Sequence, residues 1–432
     1  MVLSSALVPQ VGIVGGGLAG IAAAKALAAA GIHCVIYEKE RLLGGRLGVL
    51  KIDDQYIGAA CCYMKGSKDA SFMSQLYEWE ADGLVEEWNC GLPFTFGGEP
   101  GIFKAAPQLK PPGEKWFVTS SSKPFGISAF SEKEREFVTV RTSTTVVGTI
   151  FDELENCDGD YGWRVESRPA DLYARGEDIP SGLEMKYACR HPLIPVEHYA
   201  DQDDEPFLTS AHRELVLAMP VDPAQALAGG TGIPTLHGTG GASLRNALRS
   251  PQARTYLDQD FTKRRFSAII TFSTSLGLPF EFALDDKGHV ITVMMKRSRL
   301  DGLRSKEETW VFQTDTKWAA KHDTDPTVLS LLKEELQRIL GRPELPLIIA
   351  EEFQSWSYGD RSYKIGSDVD ENADVVVNDG PCAWIPEQQI AFAGDWAVNG
   401  RAEGAWMSGR AAAACVVQAR SKGQVARVRA PC

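Results

Sequence analysis

The sequence predicts an α/β protein in which a Rossmann-type domain, discontinuous in sequence, is joined to a second domain of mixed α+β structure. Two glycine-bearing strand-to-helix segments, one near each end of the 432-residue chain, indicate the first domain. A β-rich middle region followed by an amphipathic helical pattern indicates the second. At roughly 150 residues per domain, this length suits two or three folding units.

The first segment begins with the apolar run Val11–Val14, which suits a buried parallel strand. The turn GGGLAG from Gly15 to Gly20 follows directly, and an alanine-rich stretch of high helix propensity continues to Ala30. A second apolar run then leads to Glu38. We therefore predict a strand, a glycine turn, a helix, a strand and an acidic end, in that order.

Each part of this arrangement has a role in binding a dinucleotide. Gly15 permits the tight turn, Gly17 lets the backbone approach a pyrophosphate, and Gly20 lets the helix pack closely on the strand. The helix N-terminus offers free N–H groups and partial positive charge to phosphates. Glu38 can accept hydrogen bonds from a ribose diol, whereas it would repel a 2′-phosphate. The motif by itself fits FAD and NAD alike, because both carry an ADP half.

The segment Gly44–Arg46 (GGR) favours a flavin dinucleotide. It places two flexible residues and a cation shortly after Glu38, where the pyrophosphate and ribityl chain of FAD would run. An ordinary loop with a solvated arginine is the alternative interpretation.

The second strand-to-helix segment lies near the C-terminus. The apolar run at 390–393 stops at Gly394 and Asp395, and a helix of small residues follows from Glu403. This pattern has the form needed to bring an aspartate and another helix N-terminus to the middle of a cofactor.

Together, these segments resemble the FAD-dependent amine oxidase superfamily, strongly at both ends of the chain and patchily between them. In that superfamily the first segment holds the ADP half, the GGR loop lines the flavin side, the late aspartate contacts the ribityl or pyrophosphate group, and the following helix points at the flavin ring. The resemblance implies non-covalent FAD held by Gly15, Gly16, Gly17, Leu18, Ala19, Gly20, Glu38, Lys39, Gly45, Arg46, Val146, Gly394, Asp395, Gly404 and Ala405.

Within the superfamily the chain resembles the renalase-like branch, best at Gly394–Trp396 and the small residues after it. Two departures weaken the assignment of a substrate. Ala60, Cys61 and Cys62 stand where the branch usually has an aromatic or polar residue, and the stretch at 158–206 is longer than the branch implies.

The resemblance implies that the chain leaves its cofactor domain to build a substrate domain and then returns. The expected FAD-binding domain comprises residues 1–60, 131–235 and 378–432, and the expected substrate domain comprises 61–130 and 236–377. Residues 327–340 follow a helical period that Gly341 stops, which fits a covering helix on a mixed sheet.

The function implied by the resemblance is that of an FAD-dependent oxidase. Its small-molecule substrate would be a 2- or 6-dihydro isomer of NAD(P), with hydride transfer to flavin N5 and reoxidation by dioxygen to hydrogen peroxide. Because a flavin can accept a hydride without a protein base, no catalytic side chain is assigned. Trp356, Tyr358 and Trp396 are candidates for the substrate cavity, and core packing is the alternative for each of them.

Other functions remain open at this stage. A flavin amine oxidase acting on a primary or secondary amine is the first alternative. A desaturase or isomerase with an apolar substrate, and a non-catalytic binding protein on the same fold, as in Rab GDP-dissociation inhibitors, are further ones. The roles of Cys61 and Cys62 are also open, and the absence of a Gly-Cys-Tyr context argues against a thioether between Cys382 and the flavin.

Composition disfavours several classes of function. The net charge of −12 opposes binding to nucleic acid, and the seven histidines show no metal-ligand spacing. Nine scattered cysteines without a CxxC pair indicate reduced thiols, and no stretch has the character of a signal peptide or a membrane span. We therefore expect a cytoplasmic protein without a metal, with an organelle as the alternative and the oligomeric state undetermined.

Overall fold

The computed structural model divides the chain into two compact units. The first comprises Met1–Gly45, Gly126–Gln259 and Arg361–Cys432, and the second comprises Arg46–Phe125 and Asp260–Asp360. The residues that the structure describes are 10–52, 55–58, 60–61, 63–66, 68–153, 161–169, 208–220, 223–224, 227–228, 265–297, 306–322, 325–356, 381–386, 388–398 and 400–422.

The described residues form the following strands and α-helices. In the first part of the chain the strands are β1 (Val11–Val14), β2 (Cys34–Tyr37), β3 (Val49–Ile52), β4 (Gln55–Gly58), β5 (Met64–Lys65), β6 (Val85–Glu87), β7 (Phe94–Phe96), β8 (Lys104–Ala105), β9 (Trp116–Thr119), β10 (Val138–Arg141), β11 (Thr144–Glu153) and β12 (Tyr161–Pro169). The later strands are β13 (Leu208–His212), β14 (Leu215–Ala218), β15 (Arg265–Phe272), β16 (Phe282–Asp285), β17 (Ile291–Lys296), β18 (Glu308–Thr314), β19 (Ile348–Trp356), β20 (Ala383–Ile385) and β21 (Ile390–Ala393). The α-helices are α1 (Leu18–Ala29), α2 (Ala70–Ala81), α3 (Glu132–Arg135), α4 (Thr316–Lys321), α5 (Val328–Leu340) and α6 (Ala402–Ser421).

The first unit contains a six-stranded sheet in the order β10-β2-β1-β14-β21-β20. Its first five strands run parallel, and β20 pairs with β21 in the antiparallel sense. All four residues of β1, β2, β14 and β21 are buried, as expected of parallel strands covered on both faces. The predicted fold class, a Rossmann-type α/β domain with a mixed second domain, is therefore confirmed.

A smaller antiparallel sheet in the order β11-β12-β13 also belongs to the first unit. Trp163 and Val165 of β12 pack into the same core as Leu217 and Phe392 of the parallel sheet. Strand β12 falls within the stretch at 158–206 that is longer than the resemblance implied. The remaining residues of that stretch lie outside the described part of the chain.

The second unit contains a seven-stranded mixed sheet in the order β19-β15-β18-β17-β16-β7-β8. On one face, Ile270 and Phe312 pack with Leu332 of α5. On the other face, Ile269 and Val311 form a separate apolar cluster. Successive residues of a strand point to opposite faces of the sheet, so alternate apolar residues of β15 and β18 contribute to two different clusters, one on each face. The predicted helix at 327–340 is α5, and Gly341, with φ of +65°, ends it.

Two polar pairs with buried members connect distant parts of the first unit. The Tyr37 hydroxyl lies 2.7 Å from Nε2 of His212, whose Nδ1 lies 2.9 Å from the carbonyl oxygen of Gln10. Arg420 at the end of α6 donates from Nε and Nη2 to the two carboxylate oxygens of Glu214, at 2.8 and 2.6 Å. Since these groups bond one another, none of them is buried without a hydrogen-bond partner, and removal of either member of a pair would be costly.

None of the helices in the described part of the chain combines the length and the apolar character that a membrane crossing requires.

Mild acid is expected to destabilise the protein through His212. Burial lowers the pKa of His212 from its ordinary 6.5 to about 4, so the unfolded chain takes up a proton first as the pH falls. The contribution of His212 to stability is complete above its ordinary pKa and declines as the pH falls towards 4. Between pH 7.5 and pH 5 the loss is about 2 kcal/mol.

Thermal unfolding at these two pH values provides the measurement. The variant His212→Gln cannot acquire a proton, so its melting temperature should fall less between pH 7.5 and pH 5 than that of the natural chain. Equal shifts in the two proteins would contradict the assignment of this acid sensitivity to His212.

Candidate functional site

The glycine turn after β1 is shaped by close backbone approaches. Gly15 has φ of +102°, and its N–H donates to the carbonyl oxygen of Tyr37 at 2.9 Å. A Cβ at Gly15 would lie 2.3 Å from the carbonyl oxygen of Ala218 at the end of β14. A Cβ at Gly20 would lie only 2.0 Å from the Gly15 carbonyl oxygen. Side chains are therefore excluded at both positions, and α1 starts directly against the strand ends.

The N-terminus of α1 is open to an anion. Gly17 is the N-cap residue, and no side chain of the described residues caps the helix. The first turn contains no acidic side chain either, so the N–H groups at Leu18 and Ala19 keep the partial positive charge of the helix start. This arrangement of glycine backbone and uncapped helix suits a phosphate or pyrophosphate.

Glu38 follows β2 and lies beside the same turn. One of its carboxylate oxygens accepts the Gly16 N–H at 2.7 Å, and the other accepts the Glu40 N–H at 2.8 Å. Burial raises the pKa of Glu38, and the hydrogen bonds from Glu40 and Gly16 work in the opposite direction. A carboxylate has about four acceptor positions, so two remain for further donors such as ribose hydroxyls. Lys39 Nζ lies 3.6 Å from the exposed Glu40 carboxylate.

The segment Gly44–Arg46 folds back onto the glycine turn. Gly44 forms a parallel bridge with Gly17, and its N–H donates to the Gly16 carbonyl oxygen at 2.8 Å. Gly45 has φ of +55°, and a Cβ there would lie 3.1 Å from the Cα of Gly17. Arg46 follows in the one-turn helix Gly45–Leu47 and is half-buried. The two predicted glycine segments are therefore neighbours in space.

The C-terminal segment reaches the same edge of the parallel sheet. Strand β21 ends at Gly394, whose N–H donates to the Ser408 hydroxyl of α6 at 3.0 Å. Asp395 opens a one-turn 3-10 helix, and its carbonyl oxygen accepts the Gly400 N–H at 2.8 Å. Because β1, β2, β14 and β21 are all parallel, their carboxyl ends lie along one edge, which is where doubly wound sheets bind ligands.

Helix α6 crosses α1 at very short range. A Cβ at Gly409 would lie 2.0 Å from the carbonyl oxygen of Ala19. Gly404 and Ala405, predicted to face the flavin, are buried in the first turns of α6. Ser408 and Gly409 were not among the predicted site residues, although small residues recurring every four positions along α6 were a readable signal of close helix packing.

The remaining predicted site residues lie further from the glycine turn in sequence. Val146 is half-buried on β11 and packs against the core of the first unit. Trp396 is 4% exposed in that same core, and its indole N–H donates to the Met219 carbonyl oxygen at 2.9 Å. Trp356 ends β19 in the second unit. Tyr358 lies outside the described residues, and the roles of these side chains in a cavity stay predictions.

The cysteines singled out from the sequence are placed differently. The Cys61 thiol lies 3.4 Å from the carbonyl oxygen of Tyr63, and Cys62 lies outside the described residues. Cys382 is buried in the first unit with its Sγ 3.9 Å from that of Cys415. The contact with Cys415 and burial raise the pKa of Cys382, which makes it a poor nucleophile. In the described part of the chain, no group of three or more His, Cys, Asp or Glu side chains could hold a metal ion.

Comparison with known proteins agrees with this geometry. Residues 13–63 match the family of NAD(P)-binding Rossmann-like domains. The range includes the glycine turn, Glu38 and the Gly44–Arg46 segment.

Solved structures share the fold over nearly the whole chain. A candidate protoporphyrinogen oxidase from Exiguobacterium sp. 255-15 is 12% identical with a TM-score of 0.58, and the match covers 95% of this chain and 99% of that one. Cyclohexylamine oxidase from Brevibacterium oxydans IH-35A is 12% identical with a TM-score of 0.54, covering 96% and 99%. A triple mutant of putrescine oxidase with redesigned cofactor binding is 12% identical with a TM-score of 0.53, covering 95% and 99%. The chain therefore has the fold of these oxidases.

Adding one methyl group at either of two close backbone approaches, Gly20 against the glycine turn or Gly409 against α1, is expected to destabilise the first unit. Gly20→Ala and Gly409→Ala each force a Cβ against a backbone carbonyl oxygen, which costs about 1–3 kcal/mol or more. Gly98→Ala is the matched control, because a Cβ there meets nothing within 4 Å. Urea unfolding provides the measurement, and a Gly20→Ala variant as stable as Gly98→Ala would contradict the close approach.

Proposed function

We propose that the chain is an FAD-dependent oxidoreductase of the renalase-like kind, acting on a small molecule. The observation that carries the proposal is that two glycine-bearing turns, after β1 and after β21, lie at one edge of the parallel sheet. Glu38 follows the neighbouring strand β2, and Asp395 follows β21 directly. The likeness in fold to cyclohexylamine oxidase and to putrescine oxidase supports the same class of chemistry.

The residues around the first turn fit the ADP half of FAD. The cradle formed by Gly15, Gly17 and Gly20 leaves room that a Cβ would fill, and the uncapped start of α1 suits the pyrophosphate. Glu38 accepts the ribose hydroxyls with its remaining acceptor positions. The other predicted contacts, with Arg46, Asp395 and the start of α6, belong to the same proposal.

The division of labour in the chain follows from this assignment. The proposed FAD-binding domain comprises residues 1–60, 131–235 and 378–432, and the proposed substrate domain comprises 61–130 and 236–377. When bound, FAD supplies a two-electron acceptor for a substrate hydride, and dioxygen can regenerate it with release of hydrogen peroxide. The protein binds and orients the two partners, and Glu38 excludes a 2′-phosphate by charge repulsion.

The proposed substrate is a 2- or 6-dihydro isomer of NAD(P), which would be oxidised to NAD(P)+. This part of the proposal rests on the resemblance to the renalase-like branch. A flavin amine oxidase is the second candidate, favoured by the likeness to cyclohexylamine oxidase at a TM-score of 0.54.

The first experiment is the visible spectrum of the purified protein, recorded before and after denaturation. Flavin bands near ~450 nm that are released on denaturation would establish non-covalent flavin. Anaerobic mixing with dihydronicotinamide isomers should then bleach these bands, whereas benzylamine and putrescine should not. Rapid bleaching by amines alone would overturn the proposed substrate, and a colourless protein that cannot be reconstituted with FAD would overturn the oxidoreductase.

Removing the Glu38 carboxylate is expected to weaken FAD binding. The loss of two charge-assisted hydrogen bonds should make the free energy of FAD binding to Glu38→Ala less favourable by about 1.5–3 kcal/mol, which raises the dissociation constant. Glu40→Ala is the matched control, since its carboxylate is exposed and pairs with Lys39. Titration of the apoproteins with FAD gives both constants, and unchanged flavin binding in Glu38→Ala would argue against the site.

A further inference from the structure

A row of polar side chains crosses one face of the second unit's sheet. Gln354 of β19 lies opposite Ser267 of β15, which in turn lies opposite Gln313 of β18. In the next register position Trp356 lies opposite Arg265. Paired residues of neighbouring strands project to the same face, and so do residues two apart on one strand. These five side chains therefore share one face and form what we term the polar band.

Part of the polar band is internally satisfied. Arg265 Nη1 donates to Oε1 of Gln313 at 3.3 Å. Nε2 of Gln313 donates to the carbonyl oxygen of Ala60 at 2.8 Å and lies 3.4 Å from the Ser267 hydroxyl. Gln313 is thus held in one orientation, with its carbonyl oxygen towards the guanidinium.

Three buried atoms of the polar band form no hydrogen bond with any described residue: Oε1 of Gln354, Nε1 of Trp356, and Nε of Arg265, whose guanidinium is held by Gln313 through Nη1. Native proteins rarely leave a buried donor or acceptor unmatched, because it has lost its water without replacement. Here an acceptor and a donor occur together, two residues apart on one strand and facing the same way. A group that binds both atoms is the economical explanation.

The chemistry of the two atoms selects the ligand. An ammonium group could donate to Gln354 but would be repelled by Arg265 and could accept nothing from Trp356. A carboxylate could accept from Trp356 and would be attracted by Arg265, but it has no N–H to donate to Oε1 of Gln354. A neutral group that both donates and accepts, such as a carboxamide, matches both atoms in the orientation that the Gln354 amide has here.

We propose that the polar band binds a neutral carboxamide-type group of a small molecule, with Gln354 accepting from its N–H and the Trp356 indole donating to its oxygen. That this molecule is the substrate rests on the proposed function, whereas the binding itself does not. The selectivity distinguishes this surface from one built to hold an amine, because Arg265 lies beside Trp356.

Three probes of equal ring size separate the possible charges: benzamide, benzoate and benzylamine, which is a cation at neutral pH. Isothermal titration of the full-length protein should give a dissociation constant for benzamide at least about tenfold lower than for the other two, equivalent to one net hydrogen bond. Tighter binding of benzylamine or benzoate, or no binding of any probe, would overturn the proposal.

Two variants locate the binding. Gln354→Met removes the acceptor at similar volume, and Trp356→Phe removes the indole N–H, so each should weaken benzamide binding about tenfold. Gln337→Met on α5 and Trp318→Phe on α4 are matched controls, because both residues lie outside the polar band. Unchanged benzamide affinity in Gln354→Met and Trp356→Phe would overturn the assignment.

The stability of Gln354→Met separates a ligand site from a buried structural water. If Oε1 is unmatched without ligand, its removal should leave the melting temperature of the ligand-free protein unchanged or higher. A lower melting temperature with unchanged benzamide binding would show that water serves these atoms and would overturn the proposal. The visible spectrum of the same preparations reports flavin independently. A colourless protein that still binds benzamide supports the polar band and refutes the flavin assignment, and a yellow protein that binds no probe refutes the polar band alone.

Discussion

The approach of backbone to backbone where α1 begins is the constraint on which the rest of the first unit depends. The Gly15 carbonyl oxygen occupies the space that a side chain at Gly20 would need, and the Ala218 carbonyl oxygen does the same for Gly15. Helix α1 can therefore start immediately at the strand ends, with its N–H groups uncovered by side chains of the described residues. Gly409 then allows α6 to lie against Ala19. Three glycines thus determine how close two helices and two strands can come.

Buried polar groups of the first unit are matched both beside the glycine turn and away from it. Glu38 accepts hydrogen bonds from two backbone N–H groups. The side chains of Tyr37 and His212 form a hydrogen bond with each other, and the Glu214 carboxylate accepts two from the Arg420 guanidinium. Each of these groups is buried by the dense packing and would be costly if left alone. Glu38, held by the backbone N–H groups of Gly16 and Glu40, is already positioned beside the open helix start, so binding of an anion there needs little further ordering of this side chain.

The two faces of the second unit's sheet differ in their buried polar groups. On the helix-covered face the core is apolar, and Glu308 accepts hydrogen bonds from Lys296, Ser275 and the backbone of Leu276. On the opposite face Gln354 and Trp356, two residues apart on one strand, each keep an unmatched atom. A donor and an acceptor left unmatched side by side on one face are the pattern expected of a surface retained for binding.

Sequence by itself determined the parts of this protein that depend on local chemistry. Strand, glycine turn, helix and acidic end follow from apolar runs, from glycine where φ must be positive or a Cβ has no room, and from alanine-rich helix propensity, so β1, α1, β2 and β21 could all be predicted. Only the tertiary structure decided which of these meet. Three contacts join residues that are separated in the chain. Gly17 forms a β-bridge with Gly44, and Gly394 donates a hydrogen bond to Ser408. Gly409 of α6 packs against the carbonyl group of Ala19 in α1. Trp356 and Gln354 look alike as strand residues in sequence, and their unmatched atoms appear only once the register with β15 sets their face. Periodicity reports the face of an element, but what that face contacts depends on register and packing across the whole fold.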